Sequence, residues 1–202
     1  RLRASMSSTR KARSSKIALI DFERAARFSG RLFSLENAMD VRTARASDLA
    51  EIDSLLARSY PVLLKKDYPP SLLVTAIPLI ARAQPGLIAS GTYFVVELEG
   101  HIVGAGGWTI AAPGGGPAAD GIGNIRHVVS DHRKTRQGIG RALMGHVIAD
   151  AAARGARRLD CLSTLMAVPF YAACGFEEVG PVSVPLRPGI DFPAVLMRQS
   201  LG

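Results

Sequence analysis

Cysteine is scarce in this chain: Cys161 and Cys174 are the only two among 202 residues. Two thiols thirteen residues apart match neither a zinc-ligand spacing nor a C-x-x-C, so no metal is expected and both read as reduced and mostly buried. Aromatic residues are also few, at 6% with a single tryptophan, Trp108. No apolar run reaches the ~20 residues that a helix needs to cross a bilayer. No secretory signal opens the chain, so a cytoplasmic, membrane-free protein is expected. Acidic excess is missing as well. The formal net charge is +8, which raises nucleic acid as a partner, but residues 1–38 carry +6 of it and residues 39–202 only +2. A basic face tracking a phosphate backbone is therefore not evident, and no specific nucleic-acid partner is expected.

What is present is 48% hydrophobic residues with mixed charge, over a length that suits one domain with a real core. Residues 1–38 read as a basic Ser/Arg-rich N-terminal extension, flexible over "RLRASMSSTRKARSSK". Arg24, Arg27 and Arg31 share a helical face, so an organelle transit peptide over residues 1–35 is a minor alternative. The folded domain is expected over residues 39–202. It opens with a strand at Asp40–Ala44. Ser47 is placed to cap a helix carrying Leu49, Ile52, Leu55 and Leu56 on one face. "YPVLLKKDYPPS", with three prolines, reads as a loop, and a second helix follows from Leu72 to Ala83. Two strands flank a turn at Glu99–Gly100. "APGGGPAADG" is a flexible loop and "IGNIRHVV" another strand. Ile139, Leu143, Val147 and Ala151 then mark a helix that Arg154 and Gly155 close. A strand "RRLDCLS", a short helix "AVPFYAACGF" and two final strands complete the order β-α-α-β-β-β-α-β-α-β-β.

One segment invites chemistry. "DHRKTRQGIGRALM", Asp131 to Met144, gathers Arg133, Lys134, Arg136 and Arg141 around Gly138 and Gly140, just ahead of the clearest helix. A helix N-terminus leaves backbone N–H groups unpaired and carries partial positive charge, so it attracts anions. Glycine removes the Cβ that would keep an anion off the backbone. The combination favours a phosphate or pyrophosphate over an ordinary turn. A P-loop is excluded, because Arg141-Ala142 stands where Lys-Ser/Thr is required. The dinucleotide fingerprint G-x-G-x-x-G is closer, and Asp160 lies twenty residues beyond Gly140. Its third glycine is Leu143, however, and eight residues separate Val129 from Gly138, where that motif turns directly from strand to helix.

Thr135-Arg136-Gln137-Gly138-Ile139-Gly140 resembles the acyl-CoA pyrophosphate loop of the GCN5-related N-acetyltransferases (GNAT), whose pattern is Arg/Gln-x-x-Gly-x-Gly/Ala. Thr135 departs from it, and Arg136 or Arg133 is placed to substitute. "IRHVVSD" is similar to that family's central strand, "EGHIVGAGGWT" to its second hairpin and "LSTLMAVPFYAACGFEEVG" to its following strand, helix and strand. The likeness spans roughly residues 41–200. It implies an α/β (α+β) fold with a mixed, mostly antiparallel twisted sheet, a central V-shaped splay and about four flanking helices. It further implies acetyl-CoA as acyl donor, no metal, and direct transfer to an amine of a small-molecule or peptide acceptor. A homodimer is left open.

The resemblance also distributes roles. The backbone of Val128 and Val129 would pair with pantetheine and polarise the thioester carbonyl. Arg133, Arg136, Gln137, Gly138, Ile139, Gly140 and Arg141 would hold the pyrophosphate. Tyr171, in "PFY", is the candidate acid. His127 on the central strand is the candidate base, titrating near neutrality when unperturbed, with Asp120 a weaker one. Met166 stands where the family often has Asn, so no donor role carries over. Trp108 could line the acceptor pocket or belong to the core. By the same analogy the acceptor would meet the Tyr60–Pro70 loop and the turn near Pro188–Asp191. The competing readings are an NAD(P)-binding oxidoreductase and a non-catalytic CoA-sensing or basic binding protein.

Overall fold

The computed structural model describes residues 39–113 and 119–202. The expected extension over 1–38 and the centre of the glycine-rich loop, 114–118, lie outside the described residues. The elements run β1 (Asp40–Thr43), α1 (Leu49–Leu64), α2 (Pro70–Ile80), α3 (Pro85–Ile88), β2 (Tyr93–Leu98), β3 (His101–Thr109), β4 (Ile122–Ser130), α4 (Ile139–Ala153), β5 (Arg158–Ser163), α5 (Val168–Ala173), β6 (Glu177–Arg187) and β7 (Ile190–Ser200). They form one seven-stranded sheet in the order β1-β2-β3-β4-β5-β7-β6. Every pairing is antiparallel except β4 with β5.

Both faces of the sheet are covered, which is why β2 reads as a continuous apolar run. Phe94 and Val96 pack with Ile139, Leu143, Met144 and Val147 of α4 on one face. Tyr93 and Val95 pack with Ile52, Leu55 and Leu56 of α1 on the other. Each of these three α1 side chains is fully buried, a gain of about 1.5–3 kcal/mol apiece before entropy is counted. A third cluster joins Leu64, Tyr68, Leu73 and Ala76 to Phe192 on β7.

Three local expectations need correction. Helix α1 runs through Pro61 to Leu64, where a loop was expected. Pro61 lies in the last turn, so its missing N–H removes one bond, and burial of Leu64 against Tyr68 and Phe192 holds the extra turn. Helix α2 starts at Pro70, which suits the first helical position, and ends at Ile80 rather than Ala83. Ser47 caps nothing. It lies in a short 3₁₀ turn whose Asp48 accepts from the Arg45 N–H at 2.7 Å and pairs with Arg42 at 2.7 Å.

The sheet splits where the site lies. β4 and β5 pair only at Ile122–Arg158, Gly123–Leu159 and Asn124–Asp160. Beyond Asn124 they part. β5 continues along β7 as far as Ser163, while β4 continues along β3 to Ser130. The edge of β4 facing β5 is thus unpaired from Ile125 onward, giving the V-shaped splay.

Candidate active site

Inside the splay β4 carries a bulge. Ala105 opposes Val129 and Gly107 opposes Arg126, so His127 and Val128 together face Gly106. His127 takes a positive φ of 46°, uncommon for a residue with a Cβ. Gly106 is required here: a Cβ on it would lie 2.9 Å from the Val128 Cα. The bulge also inverts the alternation. Ile125 packs on the α4 face, but Val129, four residues on, packs on the α1 face. Val128 rests against the α4-side core, and Val129 is paired with Ala105.

His127 is half-buried on the α1 side. The Gln84 side-chain nitrogen lies 3.1 Å from its Nε2. An amide nitrogen only donates, so this Nε2 accepts and the imidazole is neutral. Burial, with Arg126 next to it, lowers the His127 pKa to about 4. The Tyr93 hydroxyl donates to the His127 carbonyl at 3.2 Å.

At the end of β4 stands Asp131, a residue whose importance the sequence reading passed over. Its side chain is 2% exposed. It accepts from Arg133 Nε at 3.0 Å, Arg133 Nη2 at 2.8 Å and the Arg133 N–H at 3.0 Å, and it pairs with Arg58 of α1 at 3.3 Å. The Arg133 guanidinium, outweighing burial, holds the carboxyl far below the usual carboxylate range. An acid directly before a basic run was the available signal for this loop anchor. Arg133 is consequently a clamp on its own loop, not a free cation. Arg136 and Arg141 are exposed and have no carboxylate partner among the described residues.

The glycines serve different ends. Gly138 begins α4 in the left-handed region, φ 83°, with nothing within 4 Å of where a Cβ would stand. That turn and that open space permit approach to the first-turn N–H groups, which have no acceptor inside the helix. Gly140 is explained by packing: a Cβ there would meet the Phe170 ring at 2.9 Å. Ile139 is buried and props Gly104 from below, so only its backbone faces outward. Gln137 is exposed.

Tyr171 enters from α5. It is 6% exposed, stacks edge-on with Phe170 and Phe176 at 5.1 and 5.6 Å, and meets the Cys161 thiol. Burial raises its pKa well above 10, with Cys161 and Tyr60 adding to the rise. Burial also pushes the Cys161 thiol up to about 12, with the nearby Tyr171 hydroxyl acting against the rise. Tyr60 belongs to α1 and Tyr171 to α5, on opposite faces of the sheet.

Other candidates fall elsewhere. Asp120 sits at the closed end of the splay, fully exposed and paired with Arg157 at 3.3 Å. Trp108 is core: it is 3% exposed and its Nε1 donates to Asp150 at 2.8 Å, so it does not line an acceptor pocket. Asp160 is held by Arg158 at 2.9 Å and Arg198 at 3.0 Å, so the carboxylate that a dinucleotide ribose would need is engaged. His101 is exposed at the start of β3, His146 packs edge-on against Phe94 at 4.5 Å and His132 follows Asp131, and among the described residues no cluster of three or more His, Cys, Asp or Glu could hold a metal. Tyr68, in the first stretch assigned to the acceptor, packs against residues just beyond the second. Tyr68 stacks on Phe192 at 4.6 Å, donates to the Pro193 carbonyl at 2.9 Å and accepts from the Leu165 N–H at 2.9 Å.

A mostly antiparallel sheet parted between β4 and β5, with a glycine-opened helix beside the free edge, defines the α/β fold of the GNAT proteins. Residues 89–178 match the family model described as an acetyltransferase (GNAT) domain. Solved structures share the fold. A PaiA N-acetyltransferase from Thermoplasma acidophilum, in complex with coenzyme A, is 13% identical with TM-score 0.63, over 81% of this chain and 99% of that one. A GCN5-related N-acetyltransferase from Rhodopseudomonas palustris is 19% identical with TM-score 0.65, over 83% and 98%. A GNAT family acetyltransferase from Brucella melitensis, in complex with acetyl-CoA, is 19% identical with TM-score 0.55, over 82% and 90%. No curated protein matches the sequence.

Proposed function

We propose that this chain is an acetyl-CoA-dependent N-acetyltransferase that moves the acetyl group directly to an amine. The observation that carries the reading is a juxtaposition. One strand, β4, offers an unpaired edge beyond Asn124 and leads within eight residues to the open turn at Gly138. The residues present fit acetyl-CoA: the first-turn N–H groups of α4 with Arg136 and Arg141 for the pyrophosphate, and the free edge around Val128 for the pantetheine amides. Bound there, acetyl-CoA would supply an acetyl group activated as a thioester.

The chain's own groups suit the remaining work. Tyr171 keeps its proton on Oη at every working pH, the state a general acid requires. His127 is neutral, and an acceptor ammonium taking the place of Gln84 would find the Nε2 lone pair. Cys161 is the thiol beside Tyr171, and its raised pKa keeps it protonated. That favours direct transfer over a covalent acyl-cysteine route.

The test is a panel of amines offered with acetyl-CoA, with products read by mass spectrometry. The expected result is an N-acetylated product, together with a melting point raised by acetyl-CoA and unmoved by NAD(P). Stabilisation by acetyl-CoA without transfer to any amine would favour the non-catalytic sensing reading. Stabilisation by NAD(P) would favour the oxidoreductase.

A further inference from the structure

Arginine burial singles out one position. Five arginines of the described residues are half-buried: Arg42, Arg58, Arg126, Arg158 and Arg198. Four have a carboxylate close by: Arg42 at 2.7 Å, Arg58 at 3.3 Å, Arg158 at 2.9 Å and Arg198 at 3.0 Å. Arg126 has none among them. Its one side-chain bond is from Nη1 to the Thr109 hydroxyl at 3.0 Å. A guanidinium has five N–H donors, and a partly desolvated one without a counter-charge is costly unless an anion completes it. Burial alone lowers its pKa, with no neighbouring acid raising it.

Its place in the fold says what that anion accompanies. Asn124 is the last residue of β4 paired with β5, so Arg126 stands two residues past the fork. Ile125 packs on the α4 face, which puts Arg126 on the α1 face, next in sequence to His127. Gly107 opposes it, so no side chain covers it from β3. Asp160, paired with Asn124 at the fork, is occupied by both Arg158 and Arg198. Leu162, half-way out on β5, gives the far wall of the splay an apolar surface, being 38% exposed.

We propose that Arg126 is a specificity-determining residue that binds the carboxylate of the acceptor, so that the acceptor class is small amines bearing a carboxylate, such as free amino acids. A carboxylate matches the planar fork of a guanidinium, and anchoring it beside His127 leaves the amine of the same molecule near the base. This rests on the acetyltransferase reading above.

The experiment compares matched acceptors: amino acids, their amides, the corresponding decarboxylated amines, and a phosphorylated amine. The wild-type chain is compared with Arg126→Gln and Arg126→Lys. For carboxylated acceptors, Arg126→Gln raises KM about 10- to 100-fold with kcat little changed, and Arg126→Lys recovers part of the loss. KM for decarboxylated amines stays put in all three proteins, as does stabilisation by acetyl-CoA, which shows that the variants fold and bind the donor. A wild-type preference for neutral or phosphorylated amines, or an equal KM rise for both acceptor types in Arg126→Gln, overturns the proposal while leaving the acetyltransferase reading intact. Absence of transfer to every amine removes that reading and this proposal together.

Discussion

At the residue scale, the sharpest claim concerns one oxygen. The Tyr171 ring packs edge-on against Phe170 and Phe176, contacts that phenylalanine would keep, so removing the hydroxyl costs the fold little. Tyr171→Phe is therefore expected to keep its melting point and its KM for acetyl-CoA while kcat falls about 100-fold, the usual size of a lost general acid. Steady-state kinetics check this, and unchanged turnover would remove Tyr171 from the acid role. The short helix carrying Tyr171 was legible because "PFY" precedes a helix-stopping glycine, while the acid role came from the family resemblance. The bulge at His127 was not legible. It depends on the close approach of Val128 to Gly106, which has no Cβ to block it, on a neighbouring strand. The pairing of Arg133 was hidden for a similar reason: side-chain type announces a cation, but only the folded loop shows Asp131 holding it.

At the element scale, the start of α4 separates two uses of glycine. Gly138 needs its backbone conformation, whereas Gly140 needs the absence of bulk. Asparagine tolerates the left-handed region better than alanine does. Gly138→Asn should thus cost less stability than Gly138→Ala, which is expected to lose about 1 kcal/mol. At Gly140 the order reverses, because Asn is larger and the Phe170 ring is in the way. Denaturation midpoints of the four variants check the crossing. The helices and strands themselves were readable from periodicity and punctuation. The exceptions, the last turn of α1 through Pro61 and the start of α2 at Pro70, are places where tertiary burial of Leu64, Tyr68 and Leu73 outweighs a local breaker signal. The short α3 was missed because four residues carry no period.

At the scale of the whole molecule, acid should weaken the fold in two stages. His127 is depressed to about 4 from an ordinary value near ~6.5, so the unfolded chain binds its proton first. The stability this contributes is fully present above about pH 6.5 and lost as pH falls toward 4. Asp131 is depressed too, so its contribution is present above the ordinary carboxylate value near ~3.9 and lost below it. Melting points across pH 3 to 7 are expected to fall with acid throughout. His127→Gln should flatten the upper part of that curve and Asp131→Asn the lower part. The splay between β4 and β5 came from the family resemblance, since no local pattern announces that two paired strands will separate after three residues. A different kind of constraint follows from the bulge in β4. What the segment from Ile125 to Asp131 conserves mechanically is a count. Removing one residue there would restore simple alternation, send Val129 to the wrong side of the sheet and pull Asp131 out from under Arg58. The length of this stretch is constrained separately from the identity of its residues, because both halves of the core are keyed to the same half-step.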